Sequence, residues 1–317
     1  MNKLPPTPFP LLADAYTVSS PAFASVKAQQ ASTYNIVNRY SPVHAYPDLA
    51  KDSRQVFYGI EHFISAYLTR KIFKKEVKEA KRFMDRANSF GGALPFDEAL
   101  WMRVVNEYDG YLPITIDSIP DGSVLFPNEP AVNVTAVDGF GEIAAMVESR
   151  MLGCLSIGTA AATLCRHWLV RMREQVEQDL SLLGVSYDRE KIDSIARWQI
   201  HNFGCRASSS EEESILIGTA HLLSFWGTDN FDAAYRAFSL GCPYNTGTSI
   251  VALAHRNVLS FDKEDDAWES IIESTKGDNV RIVSCVADSY NYYKAVPRLA
   301  ELAIKYPDVI VVVRPIS

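Results

Sequence analysis

The chain has 317 residues, of which 47% are hydrophobic and 22% charged, with a net charge of −7. That balance supports a sizeable globular core, while the acidic excess excludes a general phosphate-backbone binder and leaves room only for a local anion site. No run reaches the ~18 apolar residues of a membrane span, and the proline-rich start MNKLPPTPFPLLADAY lacks the apolar stretch of a signal peptide. The five cysteines (154, 165, 205, 242 and 285) are scattered with no Cys-x-x-Cys pair. They read as reduced, mostly buried thiols of a cytoplasmic protein, with no zinc site. Neither a nucleic-acid nor a membrane partner is expected.

Residues 1–50, rich in Pro, Ser, Tyr and Ala, read as an extended arm with short strands. RQVFYGIEHFISAYLT (54–69) has apolar residues at helical spacing, and FKKEVKEAKRFMDRAN (73–88) is a charged amphipathic helix with a solvated face. From 110 to 137, apolar and polar residues alternate between Pro, Gly and Asn turns, which predicts short antiparallel strands. Two helices are expected over about 140–153 and 158–183. Beyond residue 195 the pattern is strand, glycine-bearing loop, helix, repeated. Its clearest unit is 279–313, where NVRIVSCVA, DSYNYYKAVPRLAELAIKY and DVIVVV read as strand, helix, strand. The unbroken apolar run from Val309 to Val313 predicts a strand buried on both faces. The fold class is therefore α/β: an N-terminal α/β domain with a small antiparallel sheet over 1–150, then an incomplete parallel, barrel-like α/β domain over 151–317.

Ligands of parallel α/β folds sit at the C-terminal ends of strands, and four such places carry chemistry. In HNFGCRASSSEEES (201–214), Phe203 and Arg206 suit an aromatic wall and an anion clamp. Glu211 to Glu213 there read as a helix-dipole match on a solvated face. In FWGTDN (225–230), Gly227 permits a tight turn, and on spacing alone Asp229 reads as an N-cap. His255, behind an apolar run, is a structural histidine or a candidate acid, base or phosphate acceptor. Ser284 lies within one strand, Asp288 follows it as a cap or a ligand, and Arg314 ends the next. A permanent charge after five apolar residues needs an anion or a route to water. Together these suit a flat aromatic ligand beside a phosphorylated one.

NFGCRASSSEEESILIGTAHLLSFWGTDN (202–230) closely resembles a segment of the nicotinamide phosphoribosyltransferases. VFYGIEHFISAYL, EYDGYLPITIDSIPDG, DAY at 14–16 and SCVADSY at 284–290 are similar to the same family in the same order, while SVLFPNEPAV and ALAHRN look more like the related nicotinate enzymes. The resemblance implies part of a type II phosphoribosyltransferase barrel. It also implies a reaction: nicotinamide and phosphoribosyl pyrophosphate give nicotinamide mononucleotide and pyrophosphate, with Mg2+, in NAD salvage. Nicotinate is the alternative substrate.

By the same resemblance, Phe203 stacks on the pyridine ring and Tyr16, with Asp14 beside it, covers the other face from the second protomer of a homodimer. Asp229 accepts from the carboxamide, Arg206 binds phosphate, and Ser284 and Arg314 line the ring pocket. His255 is the histidine that ATP can phosphorylate, oriented by Asp288. The family's DSYK is DAYT here, and its RPDSG reads Arg314-Pro315-Ile316-Ser317. The expectation is thus an N-terminal part of a split enzyme, its barrel completed by a second polypeptide. A catalytically inactive nicotinamide-binding or dimerising decoy is the alternative.

Overall fold

The computed structural model describes residues 6–46, 52–243, 246–275 and 282–315. The chain divides into two compact units, Met1–Gly247 and Thr248–Ser317.

In the first unit the N-terminal arm is mostly short helical turns rather than extended chain. It includes α1 (Ala15–Ser19) and α2 (Val26–Gln29), followed by the single strand β1 (Thr33–Val37). Residues 54–69 are not one helix. They give the short strand β2 (Gln55–Val56), the single turn α3 (Ile60–Phe63) and a π-helical turn over Ile64–Leu68. The start of α3 is capped from a distance, because the Asp121 carboxylate accepts the N–H groups of Gly59 and Ile60 at 2.8 and 3.1 Å. The amphipathic helix α4 (Lys74–Met84) buries Val77, Ala80 and Met84. Next comes α5 (Glu98–Glu107), where Asp97 caps the Leu100 N–H and Trp101 is almost wholly buried. Burial of a side chain of that size contributes about 3 kcal/mol.

The alternating segment forms strands, as its period requires. These are β3 (Ile114–Ser118), β4 (Val124–Leu125) and β5 (Pro130–Ala136). One antiparallel sheet has the order β1-β5-β3, with Ile36 opposite Val132 and Ile116 opposite Val134; β2 pairs separately with β4.

A single helix, α6 (Gly141–Leu182, 42 residues), replaces the two expected, and the expected boundary at 150/151 falls inside it. Gly153 and Gly158 do not break it. A Cβ at Gly158 would sit 2.7 Å from the Tyr58 carbonyl oxygen, so that glycine serves close packing. Directly after it and one turn further on, Thr159 and Thr163 accept the N–H groups of Tyr58 and Val56 at 3.1 and 2.9 Å. The β2–α3 segment is thereby pinned to the helix, whose Ile143, Met146, Val147, Met151 and Leu155 enter the main core. Then α7 (Arg189–Arg197) packs back on α6, with Asp193 accepting from Arg173 and Arg197. The unit closes with α8 (Glu211–Leu222) and α9 (Phe231–Ser239). Gly218 lets these two helices touch, since a Cβ there would lie 2.4 Å from that of Ala233.

The second unit is a three-stranded parallel sheet, β6 (Val251–Ala252), β7 (Ile282–Val286) and β8 (Ile310–Arg314), in that order. Three helices accompany it: α10 (His255–Val258), α11 (Glu264–Ser274) and the crossover α12 (Tyr292–Lys305). Its core centres on Trp268, whose indole N–H donates to the Val286 carbonyl at 2.9 Å. The expected start of β7 at 279–281, and Ile316, lie outside the described residues.

The strand β8 is not buried on both faces. It is an edge of the described sheet: Val311 and Val313 pack on the core, while Ile310 is 60% and Val312 36% exposed. The period of two survives, but a row of β-branched residues hides it in the sequence. Among the described residues no helix is long and apolar enough to cross a membrane. The cysteines are free, and Cys205 and Cys242 are exposed rather than buried.

Candidate functional site

Two loops of the first unit meet through one parallel bridge, Asn202 to Thr228. The Asp229 N–H donates to the Asn202 carbonyl at 2.8 Å, and the Asn202 N–H donates to that of Gly227 at 3.3 Å. Below them, Asn230 accepts the Cys205 N–H at 2.5 Å and donates to Ser214 of α8 at 3.3 Å. These bonds fix the backbone on either side of Phe203 and Asp229.

Bonding of this kind presents three side chains together. His201 Nε2 lies 3.1 Å from Asp229 Oδ1, and its ring lies 4.8 Å from that of Phe203 at 41°. Phe203 is half-exposed, its face available to a flat ligand. Asp229 is not a helix cap: the N-cap of α9 is Asn230, and the Asp229 carboxylate faces His201 instead. His201 is the residue that sequence reasoning missed. It stands two positions before Phe203, and i, i+2 neighbours on extended chain share a face, so the HNF triplet carried the signal.

Beneath the site, His221 is buried, donates from Nε2 to the Gly227 carbonyl at 3.1 Å and stacks on Phe225. Burial pushes its pKa down to about 4, so the ring is neutral. Arg206 lies in a 3-10 turn (Gly204–Arg206) and is exposed, with no carboxylate at ion-pair distance among the described residues.

The acidic first turn of α8 is not uniformly solvated. Ser210 caps the helix and Glu213 accepts from Ser209, as expected of such a turn. Glu212, however, turns inward: Tyr67 donates to both its oxygens at 2.7 and 2.9 Å, with His62 and Arg150 beside it. Burial alone would raise its pKa, but Tyr67, His62 and Arg150 together bring it below the ordinary value. Glu212 ties the helix behind the site to the π-turn and to α6.

Tyr16 and Asp14 are joined by a hydrogen bond of 3.1 Å, and Tyr16 is 73% exposed. A separate cavity of about 290 Å³ is lined by Tyr58, His62, Asp121, Thr219 and Arg236, and by none of the expected site residues. Several of its polar groups are already engaged, Asp121 at the start of α3, Arg236 with Ser65 and His62 Nε2 with Glu212. The cavity is therefore a weaker candidate than the exposed Phe203 face.

In the second unit His255 opens α10 and Asp288 follows β7, with His255 Nε2 2.9 Å from Asp288 Oδ1. Asp288 does not cap α12, a position held by Asn291. Ser284 is buried within β7. Arg314 donates from one terminal nitrogen to the Leu253 carbonyl, and its Nε is buried with no partner among the described residues. A carbonyl thus supplies part of what the charge needs. Cys285, opposite Val313, is an inert thiol whose pKa burial pushes up to about 12.

The fold is similar to that of the type II phosphoribosyltransferases. It is similar to a human nicotinic acid phosphoribosyltransferase (TM-score 0.57, 16% identity, covering 96% of this chain and 60% of that one). It is also similar to a nicotinate-nucleotide pyrophosphorylase from Pyrococcus furiosus (TM-score 0.52, 11% identity, covering 99% and 68%). Those identities speak for fold alone.

Within that class the chain resembles the nicotinamide phosphoribosyltransferases: residues 9–116 match the family model described as nicotinamide phosphoribosyltransferase, N-terminal domain. A nicotinamide phosphoribosyltransferase of Xanthomonas campestris pv. campestris is 27% identical over 243 residues, and one of Acinetobacter baylyi 25% over 270. These alignments cover 76% and 80% of this chain but 48% and 49% of the relatives, so the chain spans about half the length of the curated relatives it matches.

Proposed function

We propose that the chain supplies the base-binding part of a nicotinamide phosphoribosyltransferase, joining nicotinamide to phosphoribosyl pyrophosphate with release of pyrophosphate, in NAD salvage. The observation that carries this reading is that the half-exposed Phe203 ring and the Asp229 carboxylate both meet the one imidazole of His201. A carboxamide can donate an N–H to a carboxylate, whereas the carboxylate of nicotinate would be repelled by it.

In this reading Phe203 stacks on one face of the pyridine ring, and Tyr16 of a second copy, with Asp14, covers the other. The exposure of Tyr16 fits such a donation. Arg206, exposed and without an ion pair among the described residues, takes a phosphate. The anomeric carbon gains oxocarbenium character as pyrophosphate departs, and the protein's part is to hold the ring nitrogen in line. No three metal-ligating side chains gather among the described residues. In this reading Mg2+ enters with the phosphoribosyl pyrophosphate it chelates, as part of the substrate. With Asp288 accepting from Nε2, the lone pair of a neutral His255 lies on Nδ1, the nitrogen that would take a phosphoryl group from ATP. A cytoplasmic location suits five free thiols.

The test is formation of nicotinamide mononucleotide by the chain alone and by the chain with a separately expressed C-terminal half of the kind its relatives carry. Product in either arm supports the proposal. Absence of product in both, at saturating substrates, refutes it.

A further inference from the structure

The contact between His201 and Asp229 suggests more than a wall for the ring. We propose that His201 is a positioning residue that sets the Asp229 carboxylate for amide recognition, and so governs discrimination between a neutral carboxamide and a carboxylate on the pyridine ring. The inference rests on the reading of Asp229 given above.

A carboxylate can only accept, so the hydrogen between Nε2 and Oδ1 belongs to the imidazole, which donates over 3.1 Å. That bond fixes the plane of the carboxylate. A carboxamide N–H then meets an oriented acceptor, and a substrate carboxylate meets a fixed negative charge.

His201 is itself held in place. A Cβ at Gly227 would lie 2.4 Å from His201 Nδ1 and 3.1 Å from Cε1. The imidazole thus rests directly on a backbone that has no side chain, a contact only glycine allows. The Gly227 carbonyl is anchored in turn by His221 Nε2 and the Asn202 N–H. On its other side His201 contacts the Phe203 ring. The groups facing His201 are therefore Asp229, Phe203 and the buried, neutral His221.

Loss of the imidazole donor should act on both ligands. Asp229 would lose the donor that sets its carboxylate plane and offer a less well aligned acceptor to the amide. The fixed repulsion of nicotinate would weaken at the same time. The Kd ratio of nicotinate to nicotinamide should therefore fall by about tenfold or more, the effect of one charge-assisted hydrogen bond.

The test is calorimetric titration of the full chain with nicotinamide and with nicotinate. The variants are His201→Phe, His201→Gln, Gly227→Ala and Asp229→Asn, with thermal melts to confirm folding. His201→Phe keeps ring packing without a donor and should lose discrimination. His201→Gln retains an N–H of similar reach and should stay within about threefold of wild type. Gly227→Ala displaces the imidazole by an independent route, so it should behave as His201→Phe does, and the double variant should be no worse than either single one. If His201→Phe and Gly227→Ala keep full discrimination while Asp229→Asn abolishes it, His201 has no such role and the reading of Asp229 stands. If Asp229→Asn also leaves discrimination unchanged, both fall.

Discussion

Acid should loosen the site from below, through His221. Its folded pKa of about 4 lies under the ordinary histidine value of 6.5, so folding favours the neutral ring. A depressed histidine contributes stability that is fully present above the unfolded pKa. That contribution is lost as pH falls from 6.5 toward 4, because the unfolded chain takes the proton first. For a shift of this size, linkage gives a loss of about 2 kcal/mol between pH 7 and pH 5, and about 3 kcal/mol by pH 4. The ring is buried, so solvent screening does not erode the figure greatly. In His221→Gln the side-chain amide can still donate to the Gly227 carbonyl but does not titrate. Urea unfolding of both proteins at pH 7 and pH 5 isolates the effect, since every other titrating group is common to both and cancels in the difference. Wild type should lose about 2 kcal/mol more than the variant over that interval. Parallel losses would refute the assignment of His221 as a buried neutral donor.

Three further outcomes follow from the packing. Gly110 has φ +82° and a Cβ there would meet the Ile72 carbonyl at 2.4 Å, whereas Gly91, at φ +88°, has open space around it. Gly91→Ala should cost about 1 kcal/mol, the strain of a left-handed residue alone, and Gly110→Ala at least about 2 kcal/mol more in the same denaturation assay. Tyr67→Phe removes both hydroxyl bonds to Glu212. A loss of about 1–2 kcal/mol is expected by urea titration, reduced from the buried-group figure by the partial exposure of Glu212. Asp288→Asn should leave thermal stability nearly unchanged but lower the incorporation of acid-labile phosphate from labelled ATP at His255, which His255→Gln should abolish.

Much of the fold was legible because its signal is local. The helix α4 shows its apolar period, and the 110–137 strands alternate between turn residues. The misreadings arose where tertiary contact decides. Two helices were expected over about 140–153 and 158–183, yet α6 runs unbroken and Gly158 is where the Tyr58 backbone presses on it. The run Val309 to Val313 looked doubly buried, although only alternate residues reach the core. Among the candidate residues, Phe203 and Asp229 of the first unit and His255 and Asp288 of the second were singled out from their places near strand ends or glycines. The pairings could not be read in the same way. Asp229 and Asp288 looked like caps, and the histidines that meet them lie 28 and 33 positions away. Glu212 looked solvated because nothing in its own helix reveals Tyr67, 145 positions earlier.

The central claim is that the loops around Phe203 and Asp229 hold nicotinamide by its ring and its amide. A crystal structure of the chain with nicotinamide tests it most directly. The account predicts the pyridine ring stacked on Phe203 at about 3.5–4 Å and the amide nitrogen about 3 Å from the Asp229 carboxylate. A ring bound elsewhere, or an amide turned away from Asp229, would contradict it.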